Sequence, residues 1–323
     1  MVNLNKRGDI SQPFTYLFGI IAGALILIFL ISFAKGHVNI QTLKSSQESA
    51  FYFDETLTLL TAGEDVYKEI NTPIKRNYEI SCNNLIVEKS KPAKLNSIVF
   101  SPKKLTSQKL SVYSKSVLFP FKIANIFIIS DPSKRYLFVF DDQTKDLVES
   151  FKNDIRIKLP SIFNFQLISK QSLLSNLNEL TSQKITRVVI FAHFNNQELT
   201  KLSQKFKDIL VVNYNEGTGT LKYISNSKDS NFFSLPLLYG AIFSEDHQSY
   251  ECSRDLLLNK LKLLSKLYNQ KASLLSSPSC PYQQASTILN TLDTSNLEAL
   301  KSFYTSLEQV NTILAGGNCA PLY

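Results

Sequence analysis

The apolar stretch Phe14–Ala34, with the sequence FTYLFGIIAGALILIFLISFA, decides the architecture that this chain can adopt. It lies within 25 consecutive residues, from Ile10 to Ala34, that carry no charged side chain. As an α-helix the stretch would rise about 31 Å, which matches the hydrocarbon thickness of a bilayer. Within lipid, a single segment satisfies its own backbone groups only as a helix. We therefore predict a transmembrane helix over residues 13–34, after a short amino-terminal tail, residues 1–12.

Two other interpretations of the apolar stretch stay open. One is the buried core helix of a soluble protein, although such helices rarely run so long without a polar face. The other is a cleaved secretory signal, although the apolar stretch is too long for an ordinary h-region. Basic residues flank the span on both sides, so charge asymmetry does little to set its orientation. The short tail and the cysteines favour the tail inside the cell and the bulk of the chain outside.

The residues before the span, Lys6-Arg7-Gly8-Asp9-Ile10, resemble the class III signal of archaeal type IV pilin-like proteins. Those proteins carry a short basic leader, a Gly or Ala before the cleavage point and a hydrophobic helix directly after it. The resemblance implies that Gly8 is the last leader residue and Asp9 the first mature one. The Lys-, Asn-, Ser- and Ile-rich composition is also similar to that of membrane-anchored proteins of small-genome archaea.

Residues 35–63 continue the helical pattern beyond the span, which predicts a helical stalk that stops at Gly63. Apolar residues recur there at a spacing of three or four: Leu43, Ala50, Phe53, Leu57 and Leu60. This stripe would either pair with copies of itself or lie against the chain's own outer domain. Because the repeat is short, the second interpretation is favoured over a coiled coil.

Three further segments follow from the hydrophobic periodicity. Residues 64–120 contain short apolar runs separated by prolines, which predict a small antiparallel β region. Residues 121–248 alternate extended and helical patterns, which predicts a mostly parallel sheet layer with right-handed crossovers. Residues 249–323 carry two helical stripes and form a helical carboxyl-terminal segment. The predicted fold class is therefore mixed α/β, with the transmembrane helix and stalk preceding it.

The four cysteines show neither a C-x-x-C spacing nor a paired histidine, which argues against a zinc site. In an oxidising compartment their even number predicts two disulfides, whereas in the cytosol they would be four free thiols. Antiparallel packing of the two tail helices would bring Cys252 close to Cys319 and leave Cys82 to pair with Cys280. Four cysteines permit three connectivities, so this pairing is one hypothesis among them.

The formal net charge of +8 does not indicate a nucleic-acid partner. The lysines are spread along the whole chain, and no Arg-rich arm or aromatic-interleaved basic motif occurs. We expect instead contact with the lipid bilayer, together with protein partners in the envelope or self-association through the stalk.

No catalytic motif is present: the sequence lacks a P-loop, a dinucleotide fingerprint, a G-x-S-x-G elbow and an HExxH pattern. Only three histidines occur, which argues against a multi-histidine metal centre. We therefore expect no cofactor and no metal, and the balance leans away from an enzyme. The pair Gly217 and Gly219 precedes a strand, so it predicts a hairpin turn and no phosphate cradle.

One group of polar residues is a candidate site. Ligands of parallel α/β sheets gather at the carboxyl ends of the strands. In the predicted sheet those ends carry Asp141, Asp142, His193 and Asn213. Two acids, an imidazole and an amide suit general acid–base chemistry or the binding of one metal ion. The competing interpretation is structural, because Asp142 and Asn195 stand where helix caps belong.

The sequence therefore favours a single-pass, membrane-anchored extracytoplasmic protein with a structural or interaction role, such as a pilin-like component of the cell envelope. The alternative hypothesis is a membrane-anchored enzyme or ligand-binding α/β domain that uses the polar residues at the strand ends.

Overall fold

The computed structural model describes residues 11–63, 65–158, 164–182, 185–275, 279–317 and 319–323. Its helices are α1 Ser11–Leu60, α2 Lys145–Lys158, α3 Lys170–Ser175, α4 Leu177–Ser182, α5 Asn196–Ser203, α6 Leu235–Phe243, α7 His247–Leu274, α8 Tyr282–Asn290 and α9 Leu297–Gly316. Its strands are β1 Val66–Ser81, β2 Asn84–Val87, β3 Ala93–Lys94, β4 Ile98–Phe100, β5 Lys104–Leu118, β6 Lys122–Ser130, β7 Arg135–Phe140, β8 Asn164–Ser169, β9 Arg187–Ile190, β10 Ile209–Asn215, β11 Thr218–Tyr223 and β12 Lys228–Phe232. The predicted mixed α/β class is confirmed. The proposed leader residues Gly8 and Asp9 lie outside the described residues.

Helix α1 joins the predicted span and the predicted stalk in one continuous element of 50 residues. It is the one helix of the described residues that is long and apolar enough to cross a membrane. Its side chains from Tyr16 to Val38 are almost all exposed, whereas one face further along is buried. That buried face includes Ala50, Phe53, Leu57 and Leu60, and it packs on the chain's own first sheet. The apolar stripe of the stalk therefore lies against the chain's own outer domain, which was the favoured of the two interpretations.

The first sheet has the strand order β3-β2-β1-β5-β6-β4. Its pairs are antiparallel except β4 with β6, which run parallel. Strand β6 was expected in the α/β segment that begins at residue 121, and it belongs to this sheet instead. Its residues after Lys122 are all buried, because α1 covers one face of the sheet and other helices cover the opposite face. A continuous apolar run of this kind does not indicate which sheet the strand will join.

The second sheet has the strand order β12-β11-β10-β9-β7-β8. Strands β7, β8, β9 and β10 are parallel, as the sequence predicts for this segment. Strands β11 and β12 extend the sheet as antiparallel neighbours. The β10–β11 connection is a tight turn with positive φ at Glu216 (47°) and Gly217 (84°), which confirms the predicted hairpin.

The side chains of the two sheets alternate between three apolar cores. Leu137 and Val139 of β7 face outward onto α3, α4 and α5, whereas Tyr136 and Phe138 face the centre of the molecule. The central core is shared by both sheets and by α2, α6, α7, α8 and α9. Helix α6 approaches β4 closely, because a Cβ at Gly240 would meet the ring of Phe100 at 2.8 Å. The layers therefore run α1, first sheet, central helices, second sheet and outer helices.

Two disulfides occur, as predicted for an oxidising compartment, but the predicted pairing is wrong. Cys82 is bonded to Cys252 and Cys280 to Cys319, with Cα–Cα distances of 5.6 and 6.0 Å. The pairing of Cys252 with Cys319 assumed that α7 and α9 are direct antiparallel neighbours. Helix α8 packs against both of them, and the beginning of α7 packs instead on the first sheet.

Candidate functional site

The predicted site lies at the topological switch point of the second sheet. Strand β8 lies beside β7 on one side, and the next strand in the chain, β9, lies beside β7 on the other side. Helix α2 packs in the central core, whereas α3, α4 and α5 pack on the outer face, so the two connections diverge. In open α/β sheets, ligands bind in the crevice that such a divergence creates at the strand carboxyl ends. Asp141 follows β7 and His193 follows β9, so both flank this crevice.

The carboxylate of Asp141 bridges the crevice. Its Oδ2 accepts a hydrogen bond from the backbone N–H of His193 at 2.8 Å. Its Oδ1 accepts from the backbone N–H and the hydroxyl of Thr144, at 3.1 and 2.9 Å. Partial burial acts to raise the pKa of Asp141, but these hydrogen bonds outweigh it and hold the pKa below its ordinary value. The carboxylate is therefore an ionised connection between the β7 and β9 loops.

Lys170 and Glu198 form a second connection at the same edge of the second sheet. We call this edge, where the parallel strands have their carboxyl ends, the rim. Lys170 Nζ donates to the carbonyl of His193 at 2.7 Å and lies 2.9 Å from Glu198 Oε2. The same ammonium lies 4.7 Å from the centre of the Phe194 ring, within cation–π distance. The hydrogen bonds from Lys170 and from the backbone N–H of Asn195 hold the pKa of Glu198 below its ordinary value.

The predicted site residues are brought together only in part. Asp141 contacts the backbone of His193, but Asp142 and the side chain of His193 are exposed. Asn213 is also exposed, and it lies on β10 opposite Thr220 of β11. The cap interpretation is confirmed for Asn195, which forms a reciprocal capping box with Glu198. Before α2, Asp141 binds Thr144, the residue that directly precedes the helix.

Lys170 and Glu198 were not predicted as site residues from the sequence. Glu198 stands three residues after Asn195, and that spacing is the sequence signature of a capping box. Lys170 directly follows β8, at the strand end where functional residues gather. Among the described residues, no group of three His, Cys, Asp or Glu side chains is arranged to hold a metal ion. At this edge of the sheet, Lys170 and Glu198 bind each other, and Asp141 binds backbone N–H groups and a hydroxyl.

A second cleft, of about 450 Å³, lies at the opposite end of the same strands. Arg187 forms its floor and is only 2% exposed. Its Nε lies 2.8 Å from Asp208 Oδ2, and its Nη1 donates to the carbonyls of Ala241 and Ile242 at 2.8 and 3.0 Å. Its Nη2 donates to the carbonyl of Glu245. The guanidinium is therefore occupied by internal contacts with the end of α6.

Comparison with protein-family models, with curated proteins and with solved structures gives no match for this chain.

Proposed function

We propose that this chain is a single-pass membrane protein anchored by the first half of α1, whose residues after the span lie outside the cytoplasm and act by contact with other macromolecules. The observation that carries the proposal is the change of exposure along α1. Phe18, Ile20 and Phe29 are 74, 70 and 68% exposed, whereas Phe53 and Leu57 are 1% and 0% exposed. Exposure of the apolar side chains on all sides of this helical segment to water is very unfavourable. Insertion of the segment into a bilayer removes that cost.

The two disulfides support the extracytoplasmic placement of the bulk of the chain. Disulfides persist in oxidising compartments and are rare in the cytosol. Together the bonds link β1 to α7 and the tail after Leu275 to the chain end, so oxidation of the thiols accompanies the native fold. A pilin-like role in the envelope agrees with this placement and with the resemblance of residues 6–10 to a class III signal.

The geometry of the rim supports an interaction role over catalysis. The carboxylate of Asp141 binds the backbone N–H of His193. Lys170 binds the carbonyl of His193 and the carboxylate of Glu198, and Glu198 also caps α5. A catalytic acid or base needs a lone pair or proton directed at a substrate, whereas these groups are directed at the protein backbone. Envelope partners would have access to the outer face of α1, where Phe51, Tyr52 and Leu59 are 72, 52 and 66% exposed.

The alternative function, an anchored enzyme or ligand-binding domain, is favoured by one observation. The exposed side chains of Asp142 and His193 flank a topological switch point, where ligands of this sheet type bind. A carboxylate and an imidazole suit Zn²⁺, so titration of the full chain with Zn²⁺ tests the metal-dependent form of this alternative. Equal binding by the wild type and by the Asp142→Ala/His193→Ala variant would exclude it.

The anchor and its orientation are tested in intact cells. We expect the full chain to stay in the membrane fraction after alkaline carbonate extraction and to dissolve in detergent. A Lys35→Cys variant should react with a membrane-impermeant maleimide without reduction, because Lys35 directly follows the span. The four native cysteines should react only after reduction.

Two outcomes contradict the proposal separately. Release of the chain by carbonate would exclude the anchor. Labelling of the Lys35→Cys thiol only after the cells are permeabilised would reverse the orientation while leaving the anchor intact. The intact mass of the native protein reports leader removal and the number of disulfides in the same preparation.

A further inference from the structure

Helix α7 carries an apolar stripe on the face that points away from the core. Leu263, Leu267 and Leu274 are 66, 58 and 88% exposed, and we call these three residues the leucine stripe. At 3.6 residues per turn they fall within an arc of about 40° around the helix. Leu261 and Ala272 lie on the opposite side and are buried in the central core. Helix α7 is therefore apolar on two opposite faces, and the described residues cover only one of them.

Lysines border the leucine stripe on both sides. Lys260 and Lys266 lie about 60° to either side of Leu263 around the helix. Both lysines are exposed, and neither forms an ion pair with any residue that the structure describes. The segment 256–292 contains four lysines and no Asp or Glu. An apolar stripe with basic borders fits a partner surface of the opposite charge.

The width of the leucine stripe favours a helix as its partner. An apolar arc this narrow is typical of the seam between two helices, whereas a helix that lies on a lipid surface carries a broad apolar face. A second copy of the same stripe is disfavoured, because it would bring lysines against lysines. The surface that fits is therefore a helix face that is both apolar and acidic.

The outer face of α1 has this composition. Phe51, Tyr52 and Leu59 are 72, 52 and 66% exposed, and Glu48 and Glu55 are exposed beside them. All of these side chains fall within an arc of about 100° around α1. Neither glutamate forms an ion pair within the described part of the chain. The same molecule therefore presents a basic apolar face on α7 and an acidic apolar face on α1.

The two faces also match in the spacing of their charges. Glu48 and Glu55 are about 10 Å apart along α1, and Lys260 and Lys266 are about 9 Å apart along α7. Residues 45–63 contain no Lys or Arg, so the acidic face carries no charge that opposes the pairing. Copies held in one bilayer also meet at a high effective concentration, which favours a contact between them.

We propose that the leucine stripe of α7 in one copy packs against the outer face of α1 in a second copy. The contact rests on the proposed interaction role and deepens it by naming the partner, another copy of this chain. Lys260 and Lys266 then lie beside the glutamates of the next copy. Because the two surfaces differ and each copy has both, the contact is heterologous and joins copies head to tail.

Crosslinking between two differently tagged full-length chains tests the contact. One chain carries Leu267→Cys and the other Phe51→Cys, and a bismaleimide is added to membranes that contain both. The native cysteines are disulfide-bonded and do not react. We expect a crosslinked product that contains both tags. Products that contain only one kind of tag, in similar yield, would overturn the proposal, because the contact would then join identical surfaces.

Charge reversal tests whether the two faces recognise each other. Lys260→Glu/Lys266→Glu on the first chain should lower the yield of the mixed product by about tenfold, because two attractive pairs become repulsive. Glu48→Lys/Glu55→Lys on the second chain should then restore the yield. This rescue would also show that the reversed chains are folded. Failure of the rescue would overturn the pairing of these two faces.

The matched control reverses two lysines elsewhere on the surface. Lys201→Glu/Lys228→Glu makes the same change of net charge at exposed positions of α5 and β12, and it should leave the yield unchanged. An equal loss of product in this control would overturn the proposal, because the effect would follow net charge alone. Absence of the mixed product, or crosslinking of the Leu267→Cys chain to a protein of a different mass, would overturn it as well.

A fluorophore on the Leu267→Cys thiol tests the bilayer as the occupant of the leucine stripe. We expect its emission to be insensitive to lipids that carry a nitroxide quencher, and strong quenching would overturn the contact between copies. The anchor is judged separately by carbonate extraction. Release of the chain would overturn the anchor, whereas mixed product in the released fraction would still support this contact.

Discussion

The guanidinium of Arg187 connects β9, the residue before β10 and the end of α6. The carbonyls of Ala241 and Ile242 have no partner within α6, because the last turn of any helix leaves its acceptors free. Replacing Arg187 with Ala should lower the free energy of unfolding by about 3–5 kcal/mol, since the buried carbonyls of Ala241 and Ile242 would lose their donor and half-buried Asp208 would lose its cation. Chemical denaturation in detergent measures the change. Lys134→Ala, in the same cleft, is the control and should change it by less than about 0.5 kcal/mol.

Asp141 makes the rim sensitive to acid. Its pKa is lower in the folded chain than the ordinary value of about 3.9. The stabilisation is therefore complete above about pH 4 and is lost as the pH falls through the folded pKa. The amide proton of His193 donates to this carboxylate, so its chemical shift should titrate with a midpoint below 3.9. The Asp141→Asn variant should remove the titration, and a midpoint above 4 in the wild type would contradict the contact.

At the scale of the element, α1 presents opposite faces to two environments within a single turn. Phe53 is 1% exposed against the first sheet, whereas Phe51 is 72% exposed. Phe53→Ala should cost about 3–5 kcal/mol of unfolding free energy, because it opens a cavity beneath the helix. Phe51→Ala, which removes the same atoms from the outer face, should cost much less. Denaturation of both variants in the same detergent gives the comparison, and equal costs would mean that α1 does not pack as described.

At the scale of the whole molecule, the two disulfides close loops of very different length. Cys82–Cys252 spans 170 residues and joins the first sheet to α7, whereas Cys280–Cys319 spans 39 residues within the tail. Loop-closure entropy gives about 5 kcal/mol for the first bond and about 4 kcal/mol for the second. We expect the Cys82→Ser/Cys252→Ser variant to unfold at lower denaturant concentration than Cys280→Ser/Cys319→Ser. The reverse order would show that strain or residual structure, and not loop length, governs these bonds.

Parts of the fold and of the site were predictable because their signals are local. The parallel strands of the second sheet read as short apolar runs between helical patterns, and Asn195 occupied a recognisable cap position. The place of β6 was not predictable, because its residues are buried on both faces and suit either sheet. Lys170 was missed because its partners, the carbonyl of His193 and Glu198, are 23 and 28 residues away and meet it only across β7.

The sequence by itself determined the long apolar helix, the mixed class and the number of disulfides that four cysteines can form. These follow from composition and from periodicities of a few residues, which need no knowledge of distant contacts. Only the tertiary structure decided which cysteines meet, that Asp141 binds across the crevice to His193, and that Arg76 is buried against Ser45. Each of those depends on residues far apart in the chain, and their meeting is set by how the sheets and helices pack, a property that no local pattern encodes.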